Sequence, residues 1–222
     1  ASLNSSPDEL TYFASLLSAD EKARAERFYF ERDRHHFIAG RGLLRCLLGS
    51  YLEKEPALIE FDYGKYGKPS LKSEGLQKIP EFNLSHSQDL AVYAFGLNHA
   101  IGIDVEYLHP MPDMNSFAEQ YFSPRESAYI NSLPAEQKES AFFTLWTCKE
   151  AFLKANGSGL RMPLNEVEIF LESGMNAVLS SISGDKAEAM KWRLETFSPL
   201  PVYQAACIVR GNKGQIIFQQ LS

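Results

Sequence analysis

The stretch Leu90–Leu108, LAVYAFGLNHAIGIDVEYL, carries the pattern from which the fold of this chain can be read. Its first part, Leu90–Leu97, is apolar and aromatic, as is typical of a strand. Asn98 and His99 interrupt it as a turn, and apolar and polar residues alternate from Ile101 onwards. Alternation with a period of two indicates a second strand. We therefore predict two strands that pair with each other as a hairpin.

The second of these strands carries two acidic residues on one face, Asp104 and Glu106. Residues two apart in a strand lie about 7 Å from each other along the backbone, so their side chains can converge on one hard cation. Asp is depleted in strands, which favours a specific role for Asp104. The same spacing is also typical of the solvent-exposed face of an edge hairpin, as for Glu60 and Asp62 upstream. Spacing alone leaves both interpretations open.

A second informative segment is Trp146–Lys154, WTCKEAFLK. In a helix, Trp146, Glu150 and Lys154 lie on one face at four-residue intervals. Glu150 is then a candidate third oxygen ligand, and Lys154 a candidate partner for phosphate. The alternative is an exposed ion pair that stabilises the helix by roughly 0.2–0.5 kcal/mol. Three oxygen ligands without His or Cys would favour Mg²⁺ or Mn²⁺ over zinc.

A third segment is Phe82–Ser87, FNLSHS, at the end of a predicted strand. Ser85 and His86 can present a hydroxyl and an imidazole to an anion. Neighbouring residues of a strand point to opposite faces, and the sequence has no G-x-S-x-G motif, so a Ser/His nucleophilic pair is disfavoured. A plain surface histidine is the alternative for His86.

Composition narrows the class of protein. The chain has 222 residues, with 22 Lys plus Arg against 28 Asp plus Glu and a net charge of -6, which argues against a nucleic-acid-binding protein. The three cysteines are far apart and show no metal-ligand spacing, as expected for reduced thiols. We expect a cytoplasmic protein without a membrane partner, because no secretion signal or long apolar run is present. Walker, dinucleotide-binding and H-E-x-x-H motifs are also missing.

Each half of the chain contains both helical patterns and a group of neighbouring strand patterns, which predicts an α+β fold. One predicted helix begins with a capping box formed by Ser18 and Glu21, and a second begins near Asp33. Two further helical stretches lie around Phe117–Leu133 and Glu136–Ala155. The further predicted strands are Ile59–Tyr63, Glu81–Ser85, Val167–Leu171, Ala177–Ile182, Lys191–Phe197, Val202–Val209 and Gln215–Leu221.

The order of the motifs is more specific than any one of them. The motifs are GKP (Gly67–Pro69), FNLSHS (Phe82–Ser87), GIDVE (Gly102–Glu106), YFSPRE (Tyr121–Glu126) and WTCKEAFLK (Trp146–Lys154). In this order the chain resembles the Sfp-type 4′-phosphopantetheinyl transferases. The resemblance implies two pseudo-symmetric α/β lobes, packed together with the active site at their interface. It assigns residues 1–99 to an N-terminal lobe that binds coenzyme A. Residues 100–222 form a C-terminal lobe with the metal site and the carrier-protein contact.

The resemblance also implies an activity. The enzyme would move the 4′-phosphopantetheine arm of coenzyme A to a serine of an apo acyl or peptidyl carrier protein and release 3′,5′-ADP. A monomer would suffice. The family's Mg²⁺ ligands match Asp104, Glu106 and Glu150, with Mn²⁺ as a possible substitute. Glu150 or Glu126 is the candidate base for the carrier serine, with a water relay as a further alternative. A non-catalytic binding module and another Mg²⁺-dependent phosphoryl transferase are the competing hypotheses.

Further residues match positions with which the family contacts its substrates. The positions for coenzyme A are Lys68, Ser85, His86 and Lys154. The family often holds the 3′-phosphate with two basic residues of its N-terminal helix, of which only one is matched here. The candidates for that contact are therefore Arg24, Lys22, Arg41 and His36. The implied carrier surface is the cluster Met111, Met114, Phe117, Tyr121 and Phe122, with core packing an equally good interpretation for Phe122.

Overall fold

A computed structural model describes residues 1–65, 67–72, 80–157, 162–172, 176–211 and 215–220. Runs of helices and runs of strands follow one another through these ranges, which confirms the predicted α+β class. Among the described residues, no helix has the length and apolar character needed to cross a membrane.

The chain divides into two compact units. The first consists of Ala1–Asp62, Gln88–Ala91 and Gln219–Ser222, and the second of Tyr63–Ser87 and Val92–Phe218. Tyr63–Ser87 therefore belongs to the same compact unit as the segments that follow residue 100. The functional division into lobes 1–99 and 100–222 stays a prediction.

The first unit is mainly helical. Its helices are α1 (Pro7–Leu16), α2 (Ala19–Ala25) and α3 (Glu31–Leu52), followed by a 3₁₀ turn at Pro56–Leu58 and by the start of β1 (Phe61–Tyr63). Helix α1 is not among the predicted elements, although Ser6 and Glu9 form a capping box around Pro7. The last three residues of the strand predicted at Ile59–Tyr63 form β1, and the 3₁₀ turn at Pro56–Leu58 ends just before it.

Glu21 holds the first unit together from the start of α2. Its carboxylate accepts a hydrogen bond from the backbone N–H of Ser18, as the predicted capping box requires, at 3.1 Å. It also receives the Nε–H of Arg45 at 2.7 Å. Arg45 donates further to the carbonyl oxygens of Pro56 and Ile59. This buried arginine therefore links α2, α3 and the chain beyond α3.

The second unit contains the remaining elements. They are β2 (Pro69–Leu71), β3 (Pro80–Ser87), β4 (Leu90–Leu97), β5 (Ile101–Tyr107), α4 (Met114–Tyr121), α5 (Pro124–Ser132), α6 (Ala135–Asn156), β6 (Val167–Leu171), β7 (Ala177–Ile182), α7 (Lys186–Ala189), β8 (Trp192–Phe197) and β9 (Tyr203–Arg210). Strand β4 begins with two residues of the first unit. A 3₁₀ turn at Leu164–Glu166 leads into β6.

Strand β5 does not pair with β4, so the predicted hairpin is wrong. Strands β3 and β4 pair with each other, and β5 pairs antiparallel with β9, from Ile101 opposite Val209 to Tyr107 opposite Tyr203. Most of β5 is buried, so its backbone polar groups need partners along the whole strand. The apolar β9, from more than 90 residues further along the chain, supplies them on one edge.

Two other predictions need correction. The single helix predicted around Phe117–Leu133 is two helices, α4 and α5, because Ser123 caps α5 and Pro124 occupies its first turn. The strand predicted at Gln215–Leu221 is also wrong within the described residues, since Gln215–Gln220 has no regular secondary structure. In that segment the Phe218 ring lies on Phe197, with centroids 4.6 Å apart.

Helix α6 lies directly against β5 at Gly102. A Cβ atom at this position would overlap the carbonyl oxygen of Ala151 and the backbone of Ala155. Only glycine permits so close an approach of helix and strand. The contact brings the last turns of α6, with Glu150 and Lys154, beside the acidic residues of β5.

Candidate active site

Alternate side chains of β3 bind the neighbouring strand β5, although the two strands do not belong to one sheet. The Oδ1 atom of Asn83 accepts a hydrogen bond from the N–H of Ile103 at 3.0 Å. Two residues further, the hydroxyl of Ser85 donates to Oδ1 of Asp104 at 2.8 Å. Side chains thus replace main-chain pairing along this seam. The seam places the acidic side chains of β5 between β3 and α6.

Asp104 lies at the centre of the site. It is only 3% exposed, so the interpretation of a solvent-exposed strand face is wrong for this residue. Its Oδ1 atom accepts from Lys154 Nζ at 2.6 Å and from Ser85, and Lys154 Nζ also donates to the Ser85 hydroxyl at 2.7 Å. Its Oδ2 atom is buried and has no hydrogen-bond partner within the described ranges. Burial raises the pKa of the Asp104 carboxyl, against the opposing influence of the Lys154 ammonium.

Glu106 lies two residues further along the same face of β5. The hydroxyl of Ser87 donates to its Oε2 atom at 2.8 Å, and the indole of Trp146 lies near its side chain. Burial raises the pKa of Glu106, and the negative charge of Asp104 adds to the rise. The predicted face of α6 therefore reaches β5 through Trp146 as well as through Lys154.

Glu150 is half-buried one turn beyond Trp146 on α6. Burial raises the pKa of its carboxyl, and the negative charges of Asp104 and Glu106 raise it further. The three predicted metal ligands are therefore close enough to repel one another electrostatically. Within the described part of the chain, no group of three His, Cys, Asp or Glu side chains is already spaced as ligands of one ion.

The other residues predicted to contact coenzyme A in this unit are placed differently from one another. Ser85 is buried against Asp104, whereas His86 points to the opposite, exposed face of β3. Lys68 is partly buried and donates from Nζ to the carbonyl oxygen of Ala155 at 3.2 Å, at the C-terminal end of α6. Burial lowers the pKa of Lys68. The structure thus brings Ser85, Lys154 and the end of α6 together with Lys68.

The basic candidates of the first unit differ in exposure. Arg24 and Lys22 are exposed, and the guanidinium of Arg24 lies 5.4 Å from the centroid of the Phe37 ring. Arg41 is buried, with its Nε atom 3.6 Å from a carboxylate oxygen of Glu21. His36 is another case: its Nε2 atom lies 3.4 Å from the Asp89 carboxylate, and burial lowers its pKa.

Glu126, the second candidate base, forms a buried ion pair. Its Oε2 atom lies 2.8 Å from Nζ of Lys149 and also accepts from the N–H of Ser123, while Oε1 accepts from the N–H of Ile169 at 2.8 Å. Lys149 donates further to the carbonyl oxygens of Leu164 and Val167. The pair therefore fastens α5 and α6 to the start of β6.

Lys149 is absent from the sequence predictions, although it precedes Glu150 directly. The position of its partner, Glu126, could be predicted from neighbouring residues. The segment Ser123–Glu126 has the S-x-x-E form of a capping box, which fixes the Glu126 carboxylate at the start of α5. Burial of the lysine itself has no local sequence signature. Its pairing is a matter of tertiary structure.

The residues of the predicted carrier surface divide into core and surface. Phe122 is 3% exposed and stacks on Phe142, with centroids 5.2 Å apart, which confirms the core interpretation for this residue. Tyr121 is 40% exposed, and the centroid of its ring lies 4.5 Å from the centroid of the Phe117 ring. The ring of Phe117 also packs against the indole of Trp146, with centroids 5.2 Å apart. This aromatic group therefore reaches from the surface of α4 to the Trp146 indole of α6.

Comparison with known proteins identifies relatives over both halves of the chain. Residues 100–208 match the model of the 4′-phosphopantetheinyl transferase superfamily, and residues 2–97 match the model described as 4′-phosphopantetheinyl transferase, N-terminal. The 4′-phosphopantetheinyl transferase HetI of Nostoc sp. is 50% identical over 169 residues, 76% of this chain and 71% of that protein.

Two further similarities are more distant. The 4′-phosphopantetheinyl transferase Sfp of Bacillus subtilis is 30% identical over 75% of this chain and 71% of that protein. Among solved structures, the holo-[acyl-carrier-protein] synthase of Thermotoga maritima has a TM-score of 0.41 and 22% identity, over 51% of this chain and 64% of that one.

Proposed function

The chain belongs to the 4′-phosphopantetheinyl transferase superfamily, with Sfp-type relatives, and from this membership we propose its reaction. It transfers the 4′-phosphopantetheine arm of coenzyme A to a serine hydroxyl of an apo acyl or peptidyl carrier protein. The new bond joins the serine oxygen to phosphorus, and the leaving group is 3′,5′-ADP. The observation that carries the proposal is the group of Asp104, which is buried, with the half-buried Glu106 and Glu150, beside Lys154.

Asp104, Glu106 and Glu150 are the residues that would hold Mg²⁺, or Mn²⁺ in its place. Carboxylate oxygens are the ligands that these cations prefer. Asp104 Oδ2 is buried and lacks a hydrogen-bond donor among the described residues, and mutual repulsion raises the pKa of Glu150. Both features fit a divalent cation. When bound, the ion would neutralise charge on the pyrophosphate of coenzyme A and on the leaving group.

Lys154 contributes positive charge to the same site. Its ammonium is fixed by two acceptors, Asp104 Oδ1 and Ser85 Oγ, and its side chain is 29% exposed. A lysine held in this way can donate to a phosphate oxygen without first losing mobility. Lys68, at the end of α6, is the second ammonium that we assign to substrate binding. These local charges explain how a protein with a net charge of -6 would bind an anionic substrate.

We assign the general base to Glu150 rather than to Glu126. Burial and two neighbouring carboxylates raise the pKa of Glu150, which makes its carboxylate a stronger proton acceptor. Glu126, in contrast, already binds two backbone N–H groups and the Lys149 ammonium. A base committed to three donors has less capacity to accept a proton from a substrate.

The test is a mass measurement on the carrier protein. The full chain is incubated with coenzyme A, Mg²⁺ and a panel of apo acyl and peptidyl carrier proteins. We expect at least one carrier to gain the mass of a single phosphopantetheine group at its serine, and the Glu150→Gln variant to fail in the same assay. If folded protein modifies no carrier of the panel, or Glu150→Gln acts like the wild type, the proposal is wrong. Binding of coenzyme A without mass gain would indicate a non-catalytic module instead.

A further inference from the structure

The hydroxyl group of Ser87 connects the side chain of Glu106 to the backbone of the next residue. Ser87 Oγ donates to Glu106 Oε2 at 2.8 Å and accepts the N–H of Tyr107 at 3.1 Å. Because the Ser87 oxygen accepts the backbone N–H, its hydroxyl proton points towards the Glu106 carboxylate. From this geometry we propose that Ser87 is a positioning residue that sets the orientation of the Glu106 carboxylate for cation binding. The inference rests on the proposed function, because it takes Glu106 as a ligand.

Glu106 needs such a support because of its place on the strand. It is only partly buried near the end of β5, and a glutamate side chain has several rotatable bonds to restrain. The Ser87 hydroxyl fixes one carboxylate oxygen of Glu106 relative to the β5 backbone, because it also binds the N–H of Tyr107. Without the Ser87 hydroxyl, the Glu106 carboxylate loses the hydrogen bond that fixes its orientation, and the N–H of Tyr107 loses its acceptor.

Ser87 can be separated experimentally from the rest of the site. Ser85 is two residues away on the same face of β3, but it contacts both Asp104 and Lys154. The hydrogen bonds of the Ser87 hydroxyl within the described ranges go to Glu106 and Tyr107. A change at Ser87 therefore acts on Glu106 and leaves the Asp104–Lys154 contact in place.

The size of the effect follows from other metal sites. Removing a hydrogen-bond partner of a ligand typically lowers metal affinity by about 10–100-fold. We expect the Ser87→Ala variant to bind Mn²⁺ about tenfold more weakly than the wild type, with kcat close to normal once Mn²⁺ is saturating. Ser87→Thr keeps the hydroxyl and should restore the affinity, since threonine is well accepted in strands.

The experiment measures Mn²⁺ binding to the full chain in the presence of coenzyme A by electron paramagnetic resonance. Ser183→Ala is the matched control, because the Ser183 hydroxyl donates to a carboxylate oxygen of Glu166 at 2.6 Å on an exposed part of the second unit. Glu106→Gln marks the loss of the ligand itself. Thermal unfolding of each variant checks that the fold is intact.

Weakened binding in Ser87→Ala, with normal binding in Ser87→Thr and Ser183→Ala, supports the inference. Unchanged binding in Ser87→Ala together with weakened binding in Glu106→Gln overturns the role of Ser87 and leaves the proposed function standing. Equal weakening in Ser87→Ala and Ser87→Thr also overturns it, because the hydroxyl would then not be the cause. A wild-type chain that binds no Mn²⁺ overturns the metal site, and this inference with it.

Discussion

Two neighbouring residues of α6, Lys149 and Glu150, belong to opposite kinds of electrostatic environment. Lys149 is fully buried and pairs with Glu126, whose carboxylate also accepts two backbone N–H groups. Glu150 is half-buried beside two further carboxylates, which raise its pKa. One turn of helix thus directs a satisfied charge to one side and an unsatisfied charge to the other.

The difference separates a structural group from a site prepared for a ligand. A buried ion pair with complete hydrogen bonding gains little from any added molecule, and removing one member leaves the other uncompensated. A cluster of like charges destabilises the folded chain until a cation or proton binds. Substitutions at the Lys149 pair should therefore change stability, and substitutions in the carboxylate cluster should change function.

The largest effect should follow from Asp104→Ala or Glu106→Ala. Each removes a carboxylate proposed to bind the metal, and a metal ion stabilises a transition state by several kcal/mol. We expect the rate of phosphopantetheine transfer to fall by about a thousandfold or more, at about 1.4 kcal/mol for each factor of ten. Initial rates at saturating Mg²⁺ would measure it. Near-normal activity of either variant would remove that residue from the metal site.

These variants also test the other side of the comparison. Asp104 is buried with an unpartnered Oδ2 atom among the described residues, and its ion-pair partner Lys154 is 29% exposed, so water can solvate that ammonium once Asp104 is lost. Loss of Asp104 should therefore lower the free energy of unfolding much less than loss of Lys149. Urea unfolding of Asp104→Ala should give a free energy within about 1 kcal/mol of the wild type. A large loss of stability would mean that the carboxylate cluster is structural.

The next largest effect should follow from Lys149→Met. The substitution leaves the Glu126 carboxylate buried without its ammonium partner, which typically costs about 3–5 kcal/mol. Urea unfolding would measure the loss. Lys191→Met is the matched control, because Lys191 forms an exposed ion pair with Glu188 at 2.6 Å and should contribute less than about 1 kcal/mol. Equal effects of the two substitutions would contradict the contrast drawn here.

The smallest effect concerns pH. The pKa values of Asp104, Glu106 and Glu150 are raised above their ordinary values of 3.8, 4.5 and 4.5, chiefly by burial. At pH values between the ordinary and the raised pKa values, the folded chain binds more protons at these three groups than the unfolded chain does. In metal-free buffer the contribution of these three groups to stability therefore falls as the pH rises through their raised pKa values.

This change should be on the order of 1 kcal/mol per pH unit for each proton involved. Chemical unfolding at a series of pH values would show it, and Glu150→Gln should flatten the curve. Mg²⁺ should restore stability at the higher pH values, because it replaces the lost protons. In metal-free buffer, a pH dependence of stability that is the same in Glu150→Gln as in the wild type would contradict the raised pKa of Glu150.

Much of the local structure was predictable because it depends on residues close in sequence. Strands β6 and β7 begin and end where they were predicted, because each is a short apolar run with glycine- and polar-rich segments beside it. The break between α4 and α5 was predictable in principle from Ser123 and Pro124. The partner of β5 was not, because adjacent strands joined by a turn are normally neighbours and β9 lies far along the chain.

The spacing of residues along the chain was enough to predict which side chains of the site share a face. Asp104 and Glu106 follow from the period of a strand, and Trp146, Glu150 and Lys154 from the period of a helix. Three features depend on packing between elements: β3 side chains bind these carboxylates, Asp104 is buried, and Lys149 pairs with Glu126. Periodicity fixes directions within one element. Burial and charge pairing arise from contacts between elements that are distant in sequence.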